Sequence, residues 1–93
     1  MERGKTISAI KGVLLRHRVR KAYLFGSFAR GERRYRDIDI AIVLPAGKFS
    51  LLDLVGMEQE LEGKTGKKAD VSILNSIKPA LLPYIRKDLT AIL

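Results

Sequence analysis

Between Asp37 and Ile42 the chain alternates acid and isoleucine, Asp37-Ile38-Asp39-Ile40, and closes the run with Ala41-Ile42. A β-strand sends successive side chains to opposite faces, so this segment reads as a strand with three isoleucines on one face and two aspartates on the other. A helix would scatter both sets around its circumference. The isoleucine face has to be covered by apolar side chains. The acid face has to meet water, an arginine or a cation, because neighbouring carboxylates repel one another.

The rest of the sequence supplies the cover. Ile7, Ile10, Leu14 and Leu15 recur at helical spacing up to Arg16, which predicts an amphipathic first helix with its basic residues outward. Ala22 to Phe25 reads as a short strand stopped by Gly26-Ser27, and the acid-bearing strand runs from about Asp37 to Leu44, ahead of Pro45 and Gly47. Leu51, Leu54, Val55 and Leu61 mark a helix over Ser50 to Glu62, with Ser50 and Asp53 as its start signal and Gly63 as its stop. A third strand is expected at Ala69 to Leu74, and Pro79 to Leu93 reads as a last helical segment started or kinked by Pro83. Strands alternating with helices predict an α/β (α+β) fold, a small mixed sheet of three or four strands with helices packed on one face. Residues 1–93 contain no linker-like stretch and read as a single domain. No apolar run approaches the length of a membrane span, and a cytoplasmic protein is expected.

Which chemistry the acid face serves is narrowed by what is missing. The chain has no cysteine and one histidine, His17, which has no evident partner, so any metal must sit on oxygen. In the third strand Asp70 and Ser72 share one face and Val71 and Ile73 the other, so pairing it beside the second strand would let Asp70 join Asp37 and Asp39 around one site. Magnesium suits that donor set, since it takes carboxylate and phosphate oxygen together with water. Gly26-Ser27, directly after a strand, offers backbone N–H groups and a hydroxyl to a phosphate, although a plain turn would use the same residues. Tyr23, Tyr35 and Tyr84 read as packing residues, with Tyr35, in a loop, open to the alternative of receiving a nucleotide itself. Residues 1–36 hold eleven Lys or Arg against two Glu, while the other 57 residues hold seven basic and eight acidic side chains. So uneven a distribution favours a polyanionic partner or a solvated basic face.

Leu24-Phe25-Gly26-Ser27-Phe28-Ala29-Arg30-Gly31-Glu32, followed by Asp37-Ile38-Asp39-Ile40-Ala41-Ile42-Val43, resembles the signature of minimal nucleotidyltransferases of the DNA polymerase beta superfamily. Ala69-Asp70-Val71 stands where that family carries its third acid, and Leu82 to Asp88 resembles its closing segment. Arg36 departs from the pattern, which more often has a small residue before the first aspartate. The resemblance implies a nucleotidyltransferase fold in which Asp37, Asp39 and Asp70 are catalytic and hold two Mg²⁺ ions. It also implies that Gly26, Ser27 and Arg30 bind the nucleotide, with an ion pair to Glu32 as the structural alternative for Arg30. The implied activity is transfer of AMP from ATP to a hydroxyl, a tyrosine, of a HEPN-domain toxin, the chain acting as antitoxin. Two other readings remain open: a catalytically silent subunit of this fold that neutralises a partner by binding, and a basic module that binds nucleic acid.

Overall fold

The computed structural model describes residues 2–93. The chain runs through α1 (Arg3–Arg16), β1 (Ala22–Phe25), α2 (Gly26–Ala29), β2 (Asp37–Ile42), α3 (Leu51–Thr65), β3 (Lys68–Ile73), a 3-10 turn at Leu74–Ser76, α4 (Leu82–Arg86) and β4 (Thr90–Ala91). The sheet has the order β3-β2-β1-β4. β2 and β3 are parallel and the other neighbours antiparallel, which makes the sheet mixed. A parallel pair needs a crossover, and α3 provides it.

The alternation in β2 sorts as its period demands. Ile38, Ile40 and Ile42 are buried and join a core with Ile10, Val13 and Leu14 of α1 and with Met57 and Leu61 of α3. Both long helices therefore cover the isoleucine face, leaving the aspartates on the other. Helix α1 closes in a Schellman turn: the Val19 N–H donates to Leu14 O at 3.0 Å and the Arg18 N–H to Leu15 O at 3.0 Å. Arg18 then sits at φ 67°, in the left-handed region where glycine is usual. Helix α3 opens with the expected capping box, Ser50 Oγ accepting from the Asp53 N–H at 3.3 Å and Asp53 Oδ2 accepting from the Ser50 N–H at 2.7 Å. The outer edge of β3 is closed by the same helix: Glu58 accepts from the Val71 N–H at 2.8 Å and Glu62 from the Ala69 N–H at 3.1 Å. An edge strand blunted in this way offers fewer free donors for unwanted pairing.

Several expectations need correction. Helix α3 runs through Gly63 and ends at Gly66, whose φ of 71° is the left-handed conformation that a glycine stop actually uses. β2 stops at Ile42 rather than Leu44, and β3 runs over Lys68–Ile73 rather than from Ala69 to Leu74. The segment 79–93 is not one helix. Only Leu82–Arg86 is α-helical, with a proline in its first turn, and the chain then extends so that Thr90 and Ala91 pair with Leu24 and Tyr23. That pairing covers the free edge of β1, and the Ile92 N–H adds a bond to Ala22 O at 3.0 Å. Tyr84 is 71% exposed and packs against little, contrary to its reading as a packing residue. His17 does have a partner: its Nε2 lies 3.1 Å from Glu60 Oε1, in a cluster that also pairs Arg16 with Glu60 and ties α1 to α3.

Candidate active site

The site forms where β1 ends. Phe25 is the register partner of Asp39, so the chain turns into α2 at Gly26 directly beside that aspartate. Gly26 has φ 76°, and a Cβ built there would overlap Asp39 Oδ2. Glycine is thus required twice, by the left-handed backbone and by the close approach of the carboxylate. Ser27 follows, half-buried, as the second residue of α2.

Across the sheet, Asp39 is the parallel register partner of Asp70. Both side chains project from the face opposite the isoleucines, Asp39 half-buried and Asp70 exposed. Burial pushes the Asp39 carboxyl above the usual carboxylate range, the charges of Asp70 and then Asp37 push it further, and Arg30 opposes them. Asp37 shares the face but is matched in register with Lys68, not with an acid. Among the described residues, no three carboxylate or imidazole groups close a metal site by themselves. Such an arrangement still suits magnesium, which is commonly held by one or two carboxylates, with substrate phosphates and water completing its shell. The all-oxygen donors and the repulsion around Asp39 fit a hard cation.

Arg30 is exposed and doubly paired, its Nε 2.7 Å from Glu32 Oε2 and its Nη1 2.7 Å from Asp88 Oδ2. These hydrogen bonds, first to Glu32 and then to Asp88, hold its guanidinium above its usual range. The residue therefore straps α2 to the C-terminal segment while facing the acid cluster. The loop between α2 and β2 is anchored by packing: the Tyr35 ring lies 4.7 Å from that of Phe28, between Phe28 and the Lys67 ammonium, which is 5.0 Å from the Tyr35 ring. Arg33, Arg34 and Arg36 project from this loop, exposed.

Two features escaped sequence reasoning. Lys68 occupies the acid face beside Asp37, and its position two residues before Asp70 was a parity signal that could have found it. A cavity of about 560 Å³ adjoins Asp70, walled by Phe25, Ile73, Ile77, Leu81 and Ile85. It was hidden because its outer wall belongs to the segment read as one long helix.

Comparison with known proteins shows the family. The model of the nucleotidyltransferase domain family matches residues 7–92. The chain belongs to that family and is a nucleotidyltransferase. It is 45% identical over 82 residues to MJ0435 of Methanocaldococcus jannaschii, provisionally named a protein adenylyltransferase, covering 87% of each chain. Among solved structures, a toxin–antitoxin bound to AMP-PNP superposes with TM-score 0.78 at 22% identity, over 94% of this chain and 72% of that one. The MNT antitoxin complex of a tri-AMPylated Shewanella oneidensis HEPN toxin superposes with TM-score 0.77 at 20% identity, over 99% and 72%. At those identities the two structures speak for the fold.

Proposed function

We propose that this chain, acting as a single cytoplasmic domain, is an antitoxin that transfers AMP from ATP to a tyrosine hydroxyl of a HEPN-domain toxin in a magnesium-dependent reaction. The observation that carries the reading is Asp39, held against Gly26 on one side and Asp70 on the other. It juxtaposes a turn suited to phosphate with carboxylates that need a cation. In the reaction the tyrosine oxygen bonds to the α-phosphorus, the bond to the bridging oxygen breaks, pyrophosphate departs and the phenolic proton is lost. Magnesium, bound by Asp37, Asp39 and Asp70, would supply charge neutralisation on the attacking and leaving oxygens. Asp70 lines the apolar cavity and would help activate an acceptor entering from that side. Gly26 and Ser27 hold the phosphate tail, and Arg30 fixes the α2 turn through Glu32 and Asp88. The MJ0435 likeness and the AMPylated HEPN complex favour a protein acceptor.

The test is incubation with α-labelled ATP, the HEPN partner and magnesium. Label on a partner tyrosine, dependent on Mg²⁺ and lost in Asp70→Asn, is the expected result. An unlabelled partner that this chain nevertheless binds and silences would overturn transfer in favour of neutralisation by contact.

A further inference from the structure

The basic segment singled out in the sequence has no part in the site just described. Arg18, Arg20 and Lys21 lie in the connector before β1, and Lys48 lies in the loop after β2. Because Ala22 pairs with Ile42 while Phe25 pairs with Asp39, both segments gather at the end of the β1–β2 pair remote from Gly26. There they surround a cavity of about 330 Å³, lined by Arg16, His17, Arg18, Lys48, Phe49 and Asp53. Two adjoining depressions share Arg18, Arg20 and Ala46 with one another, and one of them reaches Lys21. The three together form one trough around the loop 43–48.

The charges in the trough are not matched from within. Glu60 takes Arg16 and His17, and the Asp53 carboxylate, which accepts from the Ser50 N–H, forms no ion pair with the trough's cations. Arg18, Arg20, Lys21 and Lys48 have no ion-pair partner among the described residues, and all four are exposed. Arg18 adds a second observation: it stands at the left-handed C′ position of the Schellman turn, where glycine would be the relaxed choice, so a cation occupies a position whose backbone does not favour it.

We infer that this trough binds the phosphate backbone of a nucleic acid, independently of the transfer reaction at the other end of the sheet. A protein partner with an acidic face would also meet four cations. Protein interfaces, however, centre on apolar and aromatic side chains and are depleted in lysine, whereas nucleic-acid interfaces are dominated by positive charge. Here the large exposed apolar side chains on the rim are two separate leucines, Leu15 and Leu44, beside the small Ala46, and Phe49 is packed against the core. With no exposed ring for a base to stack on, binding is to the backbone and tolerant of sequence.

The test uses the full chain and a fluorescent 20-nucleotide RNA, with anisotropy titrations at several KCl concentrations. The variant R18G/R20Q/K21Q/K48Q removes the four cations and puts glycine where φ is 67°. Each lost phosphate contact on a single strand lowers the slope of log K against log salt by about 0.7, so the slope should flatten by about 3. A control of equal charge, K5Q/K11Q/K64Q/K87Q, should keep the wild-type slope, and both variants should keep ATP binding at the far end. If the fourfold variant unfolds, R20Q/K48Q should show about half the change. Equal loss in the control would mean that net charge alone binds RNA and would overturn the inference. Displacement of the RNA by a polyglutamate peptide at matched charge would overturn it in favour of an acidic protein face.

Discussion

Replacing Asp39 by asparagine should destroy activity and stabilise the metal-free protein, a combination that separates a site residue from a structural one. Asp39 is half-buried, is paired in register with Asp70 and shares its face with Asp37. Neighbouring strands lie about 4.8 Å apart, so the two carboxylates interact across roughly 5 Å. Their repulsion is about 3 kcal/mol at an effective dielectric of 20 and about 0.8 kcal/mol in water. Asp70 is exposed, so solvent screening favours the lower end, and about 1 kcal/mol is the expected gain. In a domain of this size that raises Tm by about 4–8 °C. The sign with pH follows from the direction of the shift. The folded Asp39 carboxyl titrates above its unfolded range, so its destabilising effect is complete above the folded value and vanishes below the unfolded one. Thermal melts in EDTA should therefore show the Asp39→Asn protein more stable than wild type at neutral pH, with the two curves converging as pH falls through the carboxylate range. Adding Mg²⁺ and ATP should raise the wild-type Tm by mass action and leave the variant unmoved. A variant less stable than wild type at neutral pH in EDTA would refute the electrostatic account of the site.

The other predictions probe the frame around that carboxylate. Gly26→Ala should cost about 1–2 kcal/mol for the left-handed backbone, with a further loss from overlap with Asp39, and should abolish nucleotide binding measured by calorimetry. In an Asp39→Gly background the overlap component of that loss should disappear in denaturant melts while the backbone component stays. Ile40→Asp should unfold the chain by circular dichroism, because it places an unpaired carboxylate at a fully buried position and the whole domain is worth only about 5–14 kcal/mol.

Legibility in the sequence followed the range of the interactions that decide each element. Strand β2 and its two faces were readable because parity depends only on successive residues, and the same parity placed Asp70 beside it on β3. The capping box at Ser50 was readable because its partners lie three residues apart. Gly63 misled as a stop because local sequence cannot tell which glycine takes the left-handed conformation; both lie near the helix end, and only Gly66 adopts it. The C-terminal segment misled for a longer-range reason. Its fate depends on the open edge of β1, far earlier in the chain, which Thr90 and Ala91 cover. The partners of Arg30 and His17 were likewise invisible, since Asp88 and Glu60 approach them only once the sheet and helices are assembled.

Three acids share one face of the sheet without closing around an ion by themselves, and this bears on how such a domain works. Asp39 and Asp70 face each other, but Asp37 faces Lys68, and the set does not close around an ion without further ligands. A cation held by so few protein oxygens needs substrate phosphate to complete its shell, so metal and nucleotide should bind together and each should weaken when the other is absent. Burial first, and then the charges of Asp70 and Asp37, hold the free protein's Asp39 carboxyl above the usual carboxylate range, and a metal–nucleotide complex would relieve the repulsive part. Stability and substrate binding are thereby linked through one side chain: the repulsion that costs the free domain stability is the part of the binding energy that a neutral residue at position 39 cannot supply.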